Sequence, residues 1–135
     1  MAPKKPAPSA SAATRPYFSS VAVVVSDRKK ATDWYTKTLG LDVIDEMDHW
    51  VTVGRKGRPG VLHLCQSTEY DPSAKLEPGN SGIAFRLPGK DFAAACETLH
   101  ANGVEFSHPA EKADWGWWAM VKDPDGNEHA LVPEE

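Results

Sequence analysis

The chain runs through one pattern of apolar and polar positions and then runs through it again. Residues 20–43 (SVAVVVSDRKKATDWYTKTLGLDV) and residues 82–106 (GIAFRLPGKDFAAACETLHANGVEF) each read as strand, helix, glycine, strand. In the first copy the β-branched run over residues 18–25 predicts a strand. Asp27 follows as a helix N-cap, because its carboxylate can accept from the unpaired amides of the next turn. Ala31, Trp34, Tyr35, Thr38 and Leu39 recur at spacings of three and four, an apolar stripe that assigns both aromatics to the core. Gly40 stands where a left-handed cap would end the helix.

Residues 41–48, 49–53 and 61–66 read as the next three strands, with the turn GRKGRPG before the last of them. Residues 67–80 carry two prolines and several charges, too polar for a core, and read as a linker. The second copy predicts a strand over 82–87 and a helix over 91–101 with Phe92, Ala95, Cys96 and Leu99 inward. Strands over 104–107, 113–122 and 128–132 complete it, the last two divided by Asp123-Pro124-Asp125-Gly126-Asn127, whose Pro and Gly favour a tight reversal. Each half is therefore β-α-β-β-β, and the fold class is α+β. A duplicated unit of this kind buries its apolar face against the other copy and presents equivalent strand positions to a shared cleft.

A length of 135 residues suits one domain with a real core. No apolar run approaches the roughly 20 residues a membrane helix needs, so no membrane partner is expected. Lys4, Lys5 and Arg15 fall in a leading stretch of 16 residues that holds no acid, leaving 12 basic against 19 acidic residues in the rest. That balance argues against nucleic acid. The leading stretch, rich in Pro, Ala and Ser and without an apolar segment, reads as a flexible tail over 1–16 rather than a secretion signal. The folded domain is then 17–135, with module one at 17–66, a linker at 67–80 and module two at 81–135. Cys65 and Cys96 read as small buried thiols, which fits a reducing cytoplasm.

The phrase VAVVVSDRKKATDWYTKTLGL, with Tyr-x-x-x-Leu-Gly inside it, and the later DPDGN turn followed by a strand resemble the vicinal oxygen chelate superfamily. That group includes glyoxalase I, extradiol dioxygenases, fosfomycin-resistance transferases and bleomycin-resistance proteins. The resemblance spans about 17–135 and implies tandem βαβββ modules, a glyoxalase-like fold whose curled mixed sheets surround a cleft. A second subunit often completes that cleft, so a homodimer is expected. In metal-using members four side chains, one from the first and one from the last strand of each module, hold a divalent cation. Carried over by position, these are Ser20, His63, Gly82 and Ala130.

Only His63 in that set is a good ligand, and Gly82 and Ala130 offer nothing to a cation. The expectation is a protein without the superfamily's metal and without another cofactor. Two alternatives stay open: a one-residue slip that turns His129 into the cleft, or Glu128, on the strand face of Ala130, joining His63 in an atypical divalent-metal site. His129 is otherwise assigned to the helix-facing side, and His49, His100 and His108 to the surface.

Five tryptophans are the other unusual feature. Trp50 lies in a third strand; alternation sends Trp117 and Trp118 to opposite faces, so one faces the helices and the other is free to line the cleft. Indoles in a cleft stack on flat ligands. Trp117 is taken here as the cleft residue, beside Ser20, Trp50, His63, Gly82, Glu128 and Ala130. The function expected is binding of a small molecule, as in sequestration of a toxic or aromatic compound. The alternatives are a metal-dependent lyase, isomerase or dioxygenase with an atypical ligand set, or a metal-free catalyst with His63 as general base.

Overall fold

Alternation along β1 (Ser20–Val25) puts Val21, Val23 and Val25 on one face, and a helix covers that face. The computed structural model describes residues 18–48, 50–67 and 76–134. The expected tail, His49 and the middle of the expected linker lie outside the described residues.

Asp27 caps α1 (Arg28–Asp33) as its spacing predicts, accepting from the Lys30 amide at 3.0 Å. The helix then widens into a π-helical turn over Trp34–Thr38, closed by a 2.8 Å bond from the Leu39 amide to the Trp34 carbonyl. Side-chain bonds from Thr32 to the Arg28 carbonyl and from Thr36 to the Thr32 carbonyl accompany the change of pitch, the kind of back-bonding that bends helices. Gly40, at φ +99°, turns the chain out of the helix in a conformation that disfavours any side chain.

The remaining strands of the first half are β2 (Asp42–Glu46), β3 (Trp50–Gly54) and β4 (Val61–Gln66). They form a sheet of order β1-β4-β3-β2, in which β1 runs parallel to β4 and the other neighbours are antiparallel. The second half gives β5 (Gly79–Leu87), α2 (Phe92–Ala101), β6 (Glu105–Ala113), β7 (Gly116–Lys122) and β8 (Asn127–Pro133), and a sheet of order β5-β8-β7-β6. Both sheets are mixed, four-stranded and unclosed. No helix among the described residues is long and apolar enough to cross a membrane.

Strand β6 departs furthest from the sequence reading, which ended it at residue 107. It continues through Pro109 to Ala113, with register shifts on both sides of His108. The strand lies at the sheet edge, where a residue without an amide proton breaks no ladder.

Two clusters make the core: one of β1, α1, β3 and β4 around Tyr35 and Leu64, the other of α2, β7 and β8 around Phe92 and Leu131. Trp34, Leu39 and Phe85 pack against both, so the helix-facing sides of the two halves meet in one apolar interior. A buried polar knot ties the same junction. Asp123, 3% exposed, accepts from the Asp125 and Asn127 amides through Oδ1 and from Asn127 Nδ2 and the Tyr35 hydroxyl through Oδ2. The turn also reaches the first half directly: the Ser26 amide donates to the Asp125 carboxylate at 3.1 Å, and Asn127 Nδ2 donates to the Val24 carbonyl at 3.4 Å.

Candidate functional site

With Val21, Leu62, Leu64, Val51 and Val53 turned toward the helices, the opposite face of the first sheet carries Ser20, Ala22, Trp50, Thr52 and His63. Register places Ala22 and Thr52 directly beside His63, and Ser20 one pleat away, beside Val61. Thr52 Oγ1 and His63 Nδ1 lie 2.8 Å apart, and the Trp50 ring stands 5.3 Å from the imidazole at 52°. Thr52 is buried and His63 half-buried, so this bond fixes the ring and leaves Nε2 without a hydrogen-bond partner among the described residues.

The corresponding face of the second sheet carries Ala84, Ala130, Met120, Trp118 and His108. His108 lies flat on Trp118, ring centroids 4.0 Å apart at 6°, and its Nε2 is 2.8 Å from Glu111 Oε2. Trp115, 69% exposed, stands 6.1 Å from Trp118. This aromatic and carboxylate cluster was hidden from the sequence reading, which ended β6 before Glu111 and left His108 on the surface. Thr52 was also overlooked, although alternation from Trp50 and pairing with His63 point to it.

Trp117 is on the other side of the sheet. It packs 6.3 Å from Phe92 in the α2 cluster, and the indole on the outward face is that of Trp118. Alternation sends the two neighbours to opposite faces, and two adjacent tryptophans carry no local sign of which one faces the helix. Glu128 sits on the face of Ala130, opposite Lys122 and Asn80. Gly82 lies within the register shift between Asn80 and Ala84, with its amide donating to Asn80 Oδ1 and φ at +76°. A Cβ there would meet nothing within 4 Å, so the backbone angle, not space, calls for glycine.

The four positions that resemblance assigns to metal ligands are thus divided, Ser20 and His63 on one sheet and Gly82 and Ala130 on the other. Their donor chemistry does not fit a divalent cation: one imidazole, one hydroxyl, and two residues with no donor atom. Among the described residues no group of three or more His, Cys, Asp or Glu side chains is placed to hold a metal.

His129 belongs to the junction. Register sets it opposite Val121 and Ala130 opposite Met120, so there is no slip toward the outward face. It is fully buried, with Nε2 2.7 Å from the Tyr35 hydroxyl and Nδ1 2.8 Å from Ser81 Oγ. Because Tyr35 donates its one proton to Asp123, the imidazole donates from Nε2 to Tyr35, while Nδ1 faces Ser81 Oγ, whose single proton also has the Glu128 carbonyl within reach at 2.9 Å. Burial pushes the His129 pKa below its ordinary value, opposed by the Asp123 carboxylate; burial and the same carboxylate push the Tyr35 phenol up. Cys65 and Cys96 are free, and burial raises both thiols.

Residues 17–131 match the Glyoxalase/Bleomycin resistance protein/Dioxygenase superfamily. A member of that superfamily from Sphaerobacter thermophilus superposes with a TM-score of 0.73 at 34% identity, covering 88% of this chain and 98% of that one. TnmS3, an antibiotic binding protein from Streptomyces sp. CB03234, gives a TM-score of 0.66 at 29% identity over 90% of this chain and 98% of its own. In sequence, the lactoylglutathione lyase of Escherichia coli O157:H7 is 27% identical over 121 residues, 82% of this chain and 87% of that enzyme. Given the match over nearly the whole domain, the chain belongs to the glyoxalase/bleomycin resistance protein/dioxygenase superfamily.

Proposed function

We propose that the protein binds a flat small organic molecule on the outward sheet faces and sequesters it without a metal. The observation that carries this reading is the contrast between those faces and the ligand positions within them. The faces present Trp50, Trp118 and the oriented His63 for stacking and hydrogen bonding, while three of the four metal positions hold Ser, Gly and Ala. Similarity to an antibiotic binding protein supports the same reading.

A second copy of the chain would close the cleft over these faces, where Ala22 and Glu111 are exposed. The two unpaired, buried thiols favour action in the reducing cytoplasm. Thermal denaturation with a panel of planar aromatic compounds, cationic members included, tests the reading. At least one compound raises the melting temperature, and the shift is lost in Trp118→Ala or Trp50→Ala variants that still fold. A panel without response, or a response indifferent to both variants, contradicts it.

The competing reading is a lyase with an atypical ligand set, and similarity to a lactoylglutathione lyase favours it. Turnover of lactoylglutathione that appears on adding Zn²⁺ or Ni²⁺ and vanishes in His63→Ala would establish it in place of the first.

A further inference from the structure

A cavity of about 980 Å³ opens between the two halves, and of the residues placed in the site above it takes in only Gly82 and Ala84. Its walls include partly buried apolar side chains of both halves, among them Val21, Leu39, Leu41, Ile83 and Phe85. None of Trp50, Thr52, His63, His108 and Trp118 lines it. The size is at the upper end of small-molecule sites, and an apolar wall with a polar mouth is their usual make-up.

The mouth is strongly one-signed. Arg55, Lys56 and Arg58, from the turn between β3 and β4, and Arg86 of β5 line it, against one acid among the described residues, Glu134. The turn is held in place by the Asp42 carboxylate, which accepts from the Lys56 amide at 3.0 Å, and by a 3.0 Å bond from the Arg58 amide to the Arg55 carbonyl. Arg86 donates to the Pro133 carbonyl, while Arg55, Lys56 and Arg58 form no ion pair among the described residues. Four cations on an otherwise acidic domain, set over an apolar cavity, complement a molecule with an anionic head and an apolar tail.

The chain's own leading 16 residues carry three cations and no acid, the wrong charge for this mouth. An anionic bilayer is also disfavoured, because the excess of acids elsewhere on the domain repels it. We propose that the cavity binds a free single-chain amphiphilic carboxylate, its tail against the apolar walls and its head on the cationic turn. The proposal stands apart from the sequestration reading and survives its failure.

Calorimetric titration of the full chain with decanoate, octanoate and decyltrimethylammonium, each below its micelle-forming concentration, tests it. Decanoate saturates at one per chain and octanoate, two methylenes shorter, binds roughly fifteenfold more weakly, since each buried methylene is worth about fourfold. Decyltrimethylammonium, with the same tail and the opposite charge, binds at least about tenfold more weakly than decanoate, as does decanoate to an R55A/R58A variant. R55K/R58K retains binding, which separates loss of charge from loss of fold, and His63→Ala leaves decanoate binding unchanged. Equal binding of the cationic amphiphile, undiminished binding by R55A/R58A, or binding only to anionic vesicles would overturn the proposal. So would sedimentation showing that decanoate acts by parting two copies of the chain, since the cavity would then be an interface.

Discussion

His63 is held by Thr52 at Nδ1 and shielded on one side by Trp50, which leaves Nε2 as the edge a ligand would meet. Under the binding reading, Thr52→Val removes the bond that orients the ring and weakens ligand binding about three- to tenfold without abolishing it. His63→Ala removes the contact itself and weakens binding further; titration of both variants with any compound that stabilises the wild type checks the order. At Tyr35 the consequence is for stability. Its hydroxyl joins Asp123 to His129 at 2.8 and 2.7 Å in a fully buried setting, so Tyr35→Phe leaves two polar groups short of a partner. A loss of about 1–3 kcal/mol is expected from urea denaturation.

The buried imidazole also makes stability depend on pH. In the unfolded chain a histidine titrates near 6.5, whereas burial holds His129 lower in the fold, so between the two values only the unfolded chain takes up the proton. This contribution is therefore complete above about pH 6.5 and is lost as pH falls through the folded value. Urea midpoints between pH 7.5 and 5 should fall with acid in the wild type and fall less in His129→Gln. A midpoint that rises with acid would mean that His129 is charged in the fold.

Among the elements, α1 shows how far pattern reading reaches. Its cap at Asp27, its stripe and its glycine exit were all legible, because each rests on interactions within one turn of the helix. The π-helical turn was not, since a helix stripe at spacings of three and four looks the same with one hydrogen bond displaced. Strand β6 shows the opposite case: Pro109 reads as a terminator unless the strand is known to lie at the edge, and edge position is a property of the sheet. Everything that depended on its extension, the stack of His108 on Trp118 and the contact with Glu111, was lost with it. The thiols of Cys65 on β4 and Cys96 on α2 offer a check on packing. Both are buried and shifted up, so neither should react with a thiol reagent in the native protein at pH 7.5, and both should react in denaturant.

Across the whole molecule, the two motifs that mark the superfamily in this sequence, the Tyr35 to Gly40 phrase and the DPDGN turn, meet in one buried knot between the halves. Tyr35 supplies the hydroxyl and Asp123 the carboxylate, so their presence reports the junction rather than an activity. That explains why fold was readable from sequence and function was not: the motifs hold the halves together, while the outward faces carry no motif. We propose that this chain keeps the scaffold without the ligand set for a metal. Elemental analysis of protein purified without chelator tests it most directly, in wild type and in His63→Ala. Divalent metal far below one per chain is expected in both. Stoichiometric metal in the wild type that disappears in His63→Ala would contradict it.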